Sequence, residues 1–177
     1  TLSHPMDGFN QYKSWLEEDL KKPGLQREPK WIQKVIRYLS SFADYFHSTQ
    51  RYEEEREVLK VIYDFLGQRG ADWHLKMVDN LTLDGNKKEA RRLWEKMRKS
   101  FPEKFQTPLA EGLLFKGEEN YQAAIDSFNR ASNIEPNNFR PYIERCYVLM
   151  ASGSKERTVV ALNLANKKMK TLKEKKK

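Results

Sequence analysis

The breaks between apolar runs recur at a fixed spacing of 34 residues, and few folds satisfy that. Pro102 and Pro136 stand one period apart. So do Ala90, Ala124 and Thr158, then Trp94, Phe128 and Leu162, then Ala131 and Ala165. Gly85 and Gly153 stand two periods apart. The segments between breaks are helical in pattern. Asp7 to Leu20 places Phe9, Tyr12, Trp15, Leu16 and Leu20 at three- and four-residue steps, and Pro23-Gly24 stops it. Pro29 opens a run through Trp31, Ile32, Val35, Ile36, Leu39, Phe42, Ala43 and Phe46. Later runs close at Gly67, at Asp84-Gly85-Asn86, at Phe101-Pro102, at Gly117, at Glu135-Pro136 and at Ser152-Gly153. No period-two strand interrupts them. The expectation is nine helices joined by short turns, all-α and antiparallel.

Composition narrows the classes that remain. Hydrophobic residues make up 38% of the 177 and aromatic residues 12%, enough for a core. Eight glycines and seven prolines are too few for a turn-rich β sandwich. Cys146 is the one cysteine, so no intrachain disulfide exists. No apolar run approaches a membrane span. The first five residues lack the charged front and apolar middle of a signal peptide, and the chain does not begin with Met. A soluble, cytoplasmic chain is expected.

The period and its residues resemble the tetratricopeptide repeat, a helix–turn–helix unit. The clearest match is 121–138, YQAAIDSFNRASNIEPNN. Tyr121 opens it, Ala124 and Ala131 are the small contacts, Phe128 is the bulky one, and Pro136 ends the unit. Close-packed helices need a small residue at the crossing and a large one beside it. The unit 139–170 matches through Tyr142, Cys146, Leu149, Gly153, Leu162 and Ala165. The unit 71–102 matches through Gly85, Ala90, Trp94 and Pro102. A fourth, around 36–68, carries Phe42, Ala43, Phe46 and Tyr52, but has Glu55 where a small residue is expected. The first helix of the 105–136 unit fits with about two extra residues near Glu118-Glu119, which brings Leu109, Ala110 and Leu113 into their slots. The resemblance implies antiparallel helix pairs stacked as a right-handed solenoid. A capping helix and linker occupy 1–30, about four pairs occupy 31–170, and a basic tail occupies 171–177.

A search for chemistry finds none. His4, His47 and His74 have no second ligand at metal spacing, so no metal or other cofactor is expected. Cys146 reads as a packing residue. No phosphate-binding or nucleophile motif is present, and no small-molecule substrate is expected. Trp15, Trp31, Trp94 and Phe128 read as core.

The resemblance implies instead a non-enzymatic scaffold, with a partner's peptide or helix held in a groove lined by the first helix of each pair. Carried over residue by residue, the groove holds Ser40, Asp44 and His47, then Leu75, Asp79 and Thr82. The third unit, shifted, contributes Thr107 and Glu111, and the fourth Arg140, Ile143, Tyr147 and Met150. Some such arrays clamp acidic chaperone C-termini with Lys and Asn. Those slots here hold Ser40, Asp44, Leu75, Asp79, Ile143 and Tyr147, so chaperone tails are excluded and a mixed apolar and basic segment is favoured.

The net charge is +8, of which residues 167–177 carry +6. The folded body is nearly balanced, which argues against a nucleic-acid-binding face. Lys167, Lys168, Lys170, Lys173, Lys175, Lys176 and Lys177 form a basic tail that extends the last helix or meets nucleic acid or an anionic surface. Two alternatives to the scaffold follow: a nucleic-acid-associated repeat protein acting through this tail, and a regulatory domain of a larger protein. Partner identity and oligomeric state stay open.

Overall fold

In the computed structural model, residues 5–22, 28–67 and 70–174 are described. They form nine helices and no strand among the described residues: α1 (Pro5–Leu20), α2 (Pro29–Ser48), α3 (Tyr52–Leu66), α4 (Ala71–Leu83), α5 (Lys87–Ser100), α6 (Gln106–Gly117), α7 (Tyr121–Ile134), α8 (Arg140–Ala151) and α9 (Lys155–Glu174). The chain divides into two compact units, Thr1–Trp73 and His74–Lys177, with the division inside α4.

In the first unit α2 and α3 form an antiparallel pair, and α1 packs on both. Pro29 starts α2, where a missing N–H costs nothing. Val35, Leu39, Ala43 and Phe46 then recur on one face and are fully buried. Val58 and Leu59 of α3 and Phe9 and Leu16 of α1 are buried as well, on the helices that pack against α2. The small-residue slot that Glu55 occupies is also buried, at 3% exposure. A carboxylate there needs a partner. His47 Nδ1 supplies one, 3.0 Å from the Glu55 Oε2.

In the second unit each helix from α5 to α9 packs on the next, and the first helices of successive pairs, α6 and α8, also touch. That is the contact pattern of stacked helix pairs. Ala90, Ala124 and Thr158 are buried one period apart, as are Ala131 and Ala165. Small residues at these crossings let backbones approach.

The turns inside the pairs fix the repeat's phase. At the first, Gly85 N–H donates to Thr82 O, Asn86 N–H to Leu81 O and Lys87 N–H to Gly85 O. Thirty-four residues on, Glu119 donates to Lys116, Asn120 to Phe115 and Tyr121 to Glu119. Another 34 on, Gly153 donates to Met150, Ser154 to Leu149 and Lys155 to Gly153. The pivots Gly85, Glu119 and Gly153 have φ of 78°, 61° and 75°. The two extra residues expected near Glu118-Glu119 do not exist. Glu119 fills the left-handed slot that glycine fills on either side, and its side chain disguises the register. Pro108 stays in place as the third residue of α6, within a first turn that tolerates proline.

A non-glycine residue in this conformation is strained. Glu119→Gly is therefore expected to raise stability by about 0.5–1 kcal/mol. A urea midpoint that stays put or falls would contradict this.

Candidate functional site: a charge ladder on the second unit

α8 begins at Arg140, after Asn138 Oδ1 has accepted the Arg140 N–H. Its one-turn spacing puts Arg140 and Glu144 on the same face. The Arg140 guanidinium reaches the Asp79 carboxylate of α4, 61 residues earlier. On its other side Arg140 Nε lies 3.9 Å from Glu144 Oε1. Glu144 Oε2 in turn accepts from Lys116 Nζ of α6 at 2.8 Å. Lys116 Nζ also stands 5.6 Å from the ring centroid of Tyr147. Alternating charges thus run Asp79, Arg140, Glu144, Lys116 across the first helices of three pairs, and end on an aromatic ring that is 53% exposed.

The ladder changes the character of the surface. Asp79 is buried and neutralised by Arg140, so it is not a bare acid. The selection for basic segments expected from Asp79 loses its basis. What the face offers is an exposed Tyr147 beside a balanced polar strip.

Of the residues expected in the groove, Asp79, Arg140 and Tyr147 are brought together. Leu75 and Thr82 are not available to a partner, being only 4% and 8% exposed. The Thr82 hydroxyl donates to Val78 O at 2.7 Å. Its methyl fills the space beside Gly117, where an added Cβ would come within 2.4 Å. Glu111 is directed elsewhere. It accepts from Arg130 and from the Ser127 hydroxyl of α7, and lines a cleft of about 390 Å3 with Trp94, Arg98 and Ile134. Thr107 caps the chain locally, its hydroxyl donating to Phe101 O at 2.6 Å. Both misplacements follow from the shifted register. In the true phase the third-unit counterpart of Thr82 and Met150 is Lys116, and the column 82–116–150 was present in the sequence to be read.

Ile143 and Met150 are exposed on α8. Asp44 and His47 belong to the first unit, where Asp44 is exposed and His47 is committed to Glu55 and to an edge contact with Tyr52. In the tail, Lys167 and Lys170 are exposed on α9 and Lys168 is half-buried. Lys173 lies on α9, which continues to Glu174, while Lys175, Lys176 and Lys177 lie outside the described residues, as does His4.

The first unit holds a feature the periodicity missed. Trp15 and Tyr38 are 44% and 50% exposed, not core. Tyr12 stacks between them, with ring centroids 5.2 Å from Trp15 and 4.4 Å from Tyr38. Burial, and then the neighbouring Tyr38 and Asp19, push the Tyr12 hydroxyl above its ordinary pKa. With Trp31, Lys34 and Arg37 these rings line a cleft of about 510 Å3.

Burial pushes the Cys146 thiol up, against a smaller opposing pull from Arg145, so the thiolate is disfavoured. Among the described residues no three His, Cys, Asp or Glu are placed to hold a metal ion. No described helix is long and apolar enough to cross a membrane.

The fold and its 34-residue phase are those of a tetratricopeptide-like helical repeat. No protein-family model matches the chain, and no curated protein matches its sequence. Solved structures do. The Cut9–Hcn1 hetero-tetramer of the APC/C superposes with a TM-score of 0.64 at 16% identity, covering 93% of this chain and 29% of that one. MamA from Desulfovibrio magneticus RS-1, residue 41 to its end, gives 0.54 at 11% identity, covering 92% and 95%. A further MamA crystal structure gives 0.52 at 14% identity, covering 82% and 88%. The chain thus spans under a third of the Cut9–Hcn1 chain it matches and nearly all of the MamA chain that begins at residue 41. At these identities the likeness is one of fold.

Proposed function

We propose that the chain is a non-enzymatic interaction scaffold that holds a peptide or helix of a protein partner during complex assembly. The holding surface is the α4–α6–α8 face of the second unit. The observation that carries this is the ladder from Asp79 to Lys116 ending on the exposed Tyr147. A tyrosine ring held in place by a cation presents large contact area at low entropic cost, the usual chemistry of an interface anchor. The polar strip beside it is already satisfied internally, so it supplies registry without demanding a charged partner. The structural neighbours agree in kind, since one is seen within a hetero-tetramer. Ile143 and Met150, both exposed on α8, complete the proposed contact set.

The test is capture from native lysate by three baits: the intact chain, a chain cut after Asn166, and Tyr147→Ala. The scaffold reading expects a protein retained by the first two and lost from the third, insensitive to nuclease. Phosphate contacts lose affinity steeply between about 50 and about 200 mM salt. Capture that is nuclease-sensitive, salt-labile and lost with the tail would overturn the reading in favour of nucleic-acid binding.

A further inference from the structure

One period separates two versions of the same joint within the second unit. In the α6–α7 pair, Glu111 of α6 accepts from the Ser127 hydroxyl and from Arg130 of α7. An ion pair and a buried hydroxyl thus bolt the two helices together. Thirty-four residues on, the same three slots hold Arg145, Ala161 and Leu164 in the α8–α9 pair. A cation replaces the carboxylate, a methyl the hydroxyl, and an apolar chain the cation. All three replacements line one cleft of about 550 Å3 between α7 and α9, over α8. On the same side of the preceding pair, Glu111 and Arg130 line the smaller cleft of about 390 Å3. That one stays open although α8 packs on α6 and α7 beyond it. A groove on this side is therefore a property of the array's interior.

The larger cleft combines an apolar floor with one uncompensated charge. Ile125, Leu149 and Ala161 pack with Cys146 in one apolar cluster. Val160 and Leu164 beside them are open to solvent, at 68% and 39% exposure. Arg145 is half-buried. Its Nη1 donates to the neutral Asn129 Oδ1 at 2.6 Å, and its Cζ lies 5.7 Å from the ring centroid of Tyr142. No carboxylate among the described residues pairs with it, which leaves guanidinium donors to spare. Toward the starts of α7 and α9 the cleft holds charges of both signs, Asp126, Glu156 and Arg157. The geometry points to a docking site for a short extended segment of a protein partner. An apolar side chain of that segment enters between Ile125, Leu149 and Val160, and a carboxylate two residues away reaches Arg145. Residues two apart in an extended chain share one side and stand about 6.6 Å apart. One helical turn, about 6 Å, separates Leu149 from Arg145. A guanidinium without an anion favours a carboxylate, which can take two parallel hydrogen bonds from it. A partner segment suits the cleft better than a free small molecule, because exposed Val160 and Leu164 leave it too open to enclose one. The site is separate from the Tyr147 face. Tyr147 stands two residues from both Arg145 and Leu149, about 200° round α8. Either surface can fail without the other.

The probe is a fluorescein-labelled Gly/Ser peptide carrying one Leu, with Glu two residues to either side. Both chain directions then offer Arg145 a carboxylate. Binding to the full chain is read by anisotropy. Changing both Glu to Gln is expected to weaken binding about 10-fold. Changing the Leu to Ser should cost about 10-fold or more. Val160→Glu alters a residue already well exposed. The combined variant R145E/A161S/L164R rebuilds the bolt of the α6–α7 joint. Each should weaken the peptide about 10-fold or more, while Tyr147→Ala leaves it unchanged. No binding of the Glu peptide, equal binding of the Glu and Gln versions, or indifference to both cleft variants would overturn the proposal. Octanoate that displaces the peptide and binds more tightly than it does would assign the cleft to small amphipathic acids instead.

Discussion

Phe128→Ala should cost the second unit about 3–5 kcal/mol, the usual loss for emptying a fully buried aromatic site. Phe128 is 1% exposed on α7, and α7 packs against both α6 and α8. The helices on either side are tied by their own turns and cannot collapse into the space. The matched control is Leu162→Ala, one period later and 43% exposed. Much of that side chain is already in water, so its loss should be about 1 kcal/mol or less. Denaturant midpoints of the two variants compare one repeat slot in two settings. Similar losses at both positions would mean that Phe128 does not hold the stack together.

The second large effect runs against helix propensity. Ala is the better helix former by about 1 kcal/mol, so Gly112→Ala in mid-helix would ordinarily stabilise. Here an added Cβ would stand 2.3 Å, 2.5 Å and 2.9 Å from three atoms of the Phe128 ring. The ring is enclosed and has nowhere to move. Gly112→Ala is therefore expected to destabilise by about 1–3 kcal/mol through overpacking. Adding Phe128→Leu should recover most of that loss, because the two residues share one volume and their effects will not add. The sequence contains that exchange already. One period later the slots of Gly112 and Phe128 hold Cys146 and Leu162, a larger residue facing a smaller one. If Gly112→Ala stabilises the chain, the close approach of α6 and α7 is wrong.

The helices and their period were legible because breaks and small residues mark them directly. Pro102, Pro136, Gly85 and Gly153 are local signals, and each acts through backbone geometry that sequence alone reveals. The phase between α6 and α7 is hidden for an equally local reason. Glu119 adopts the left-handed turn without the glycine that would announce it, so the sequence pattern suggests a two-residue shift that the fold does not contain. That shift displaced the third-unit groove residues to Thr107 and Glu111 and hid Lys116. Burial of Leu75 and Thr82 depends on neighbouring helices, which a single-helix pattern does not reveal. Trp15 illustrates the same limit, since an amphipathic spacing identifies a stripe but not how far a neighbour covers it. Pairing across three repeats, as between Asp79 and Arg140, has no sequence signal beyond opposite charge.

The most direct test of the scaffold reading is hydrogen exchange on the full chain, with and without a captured partner. The account predicts slowed exchange in α6 and α8, within 106–117 and 140–151, and loss of that effect in Tyr147→Ala. Slowing confined to the basic end of α9, with α6 and α8 unchanged, would contradict it.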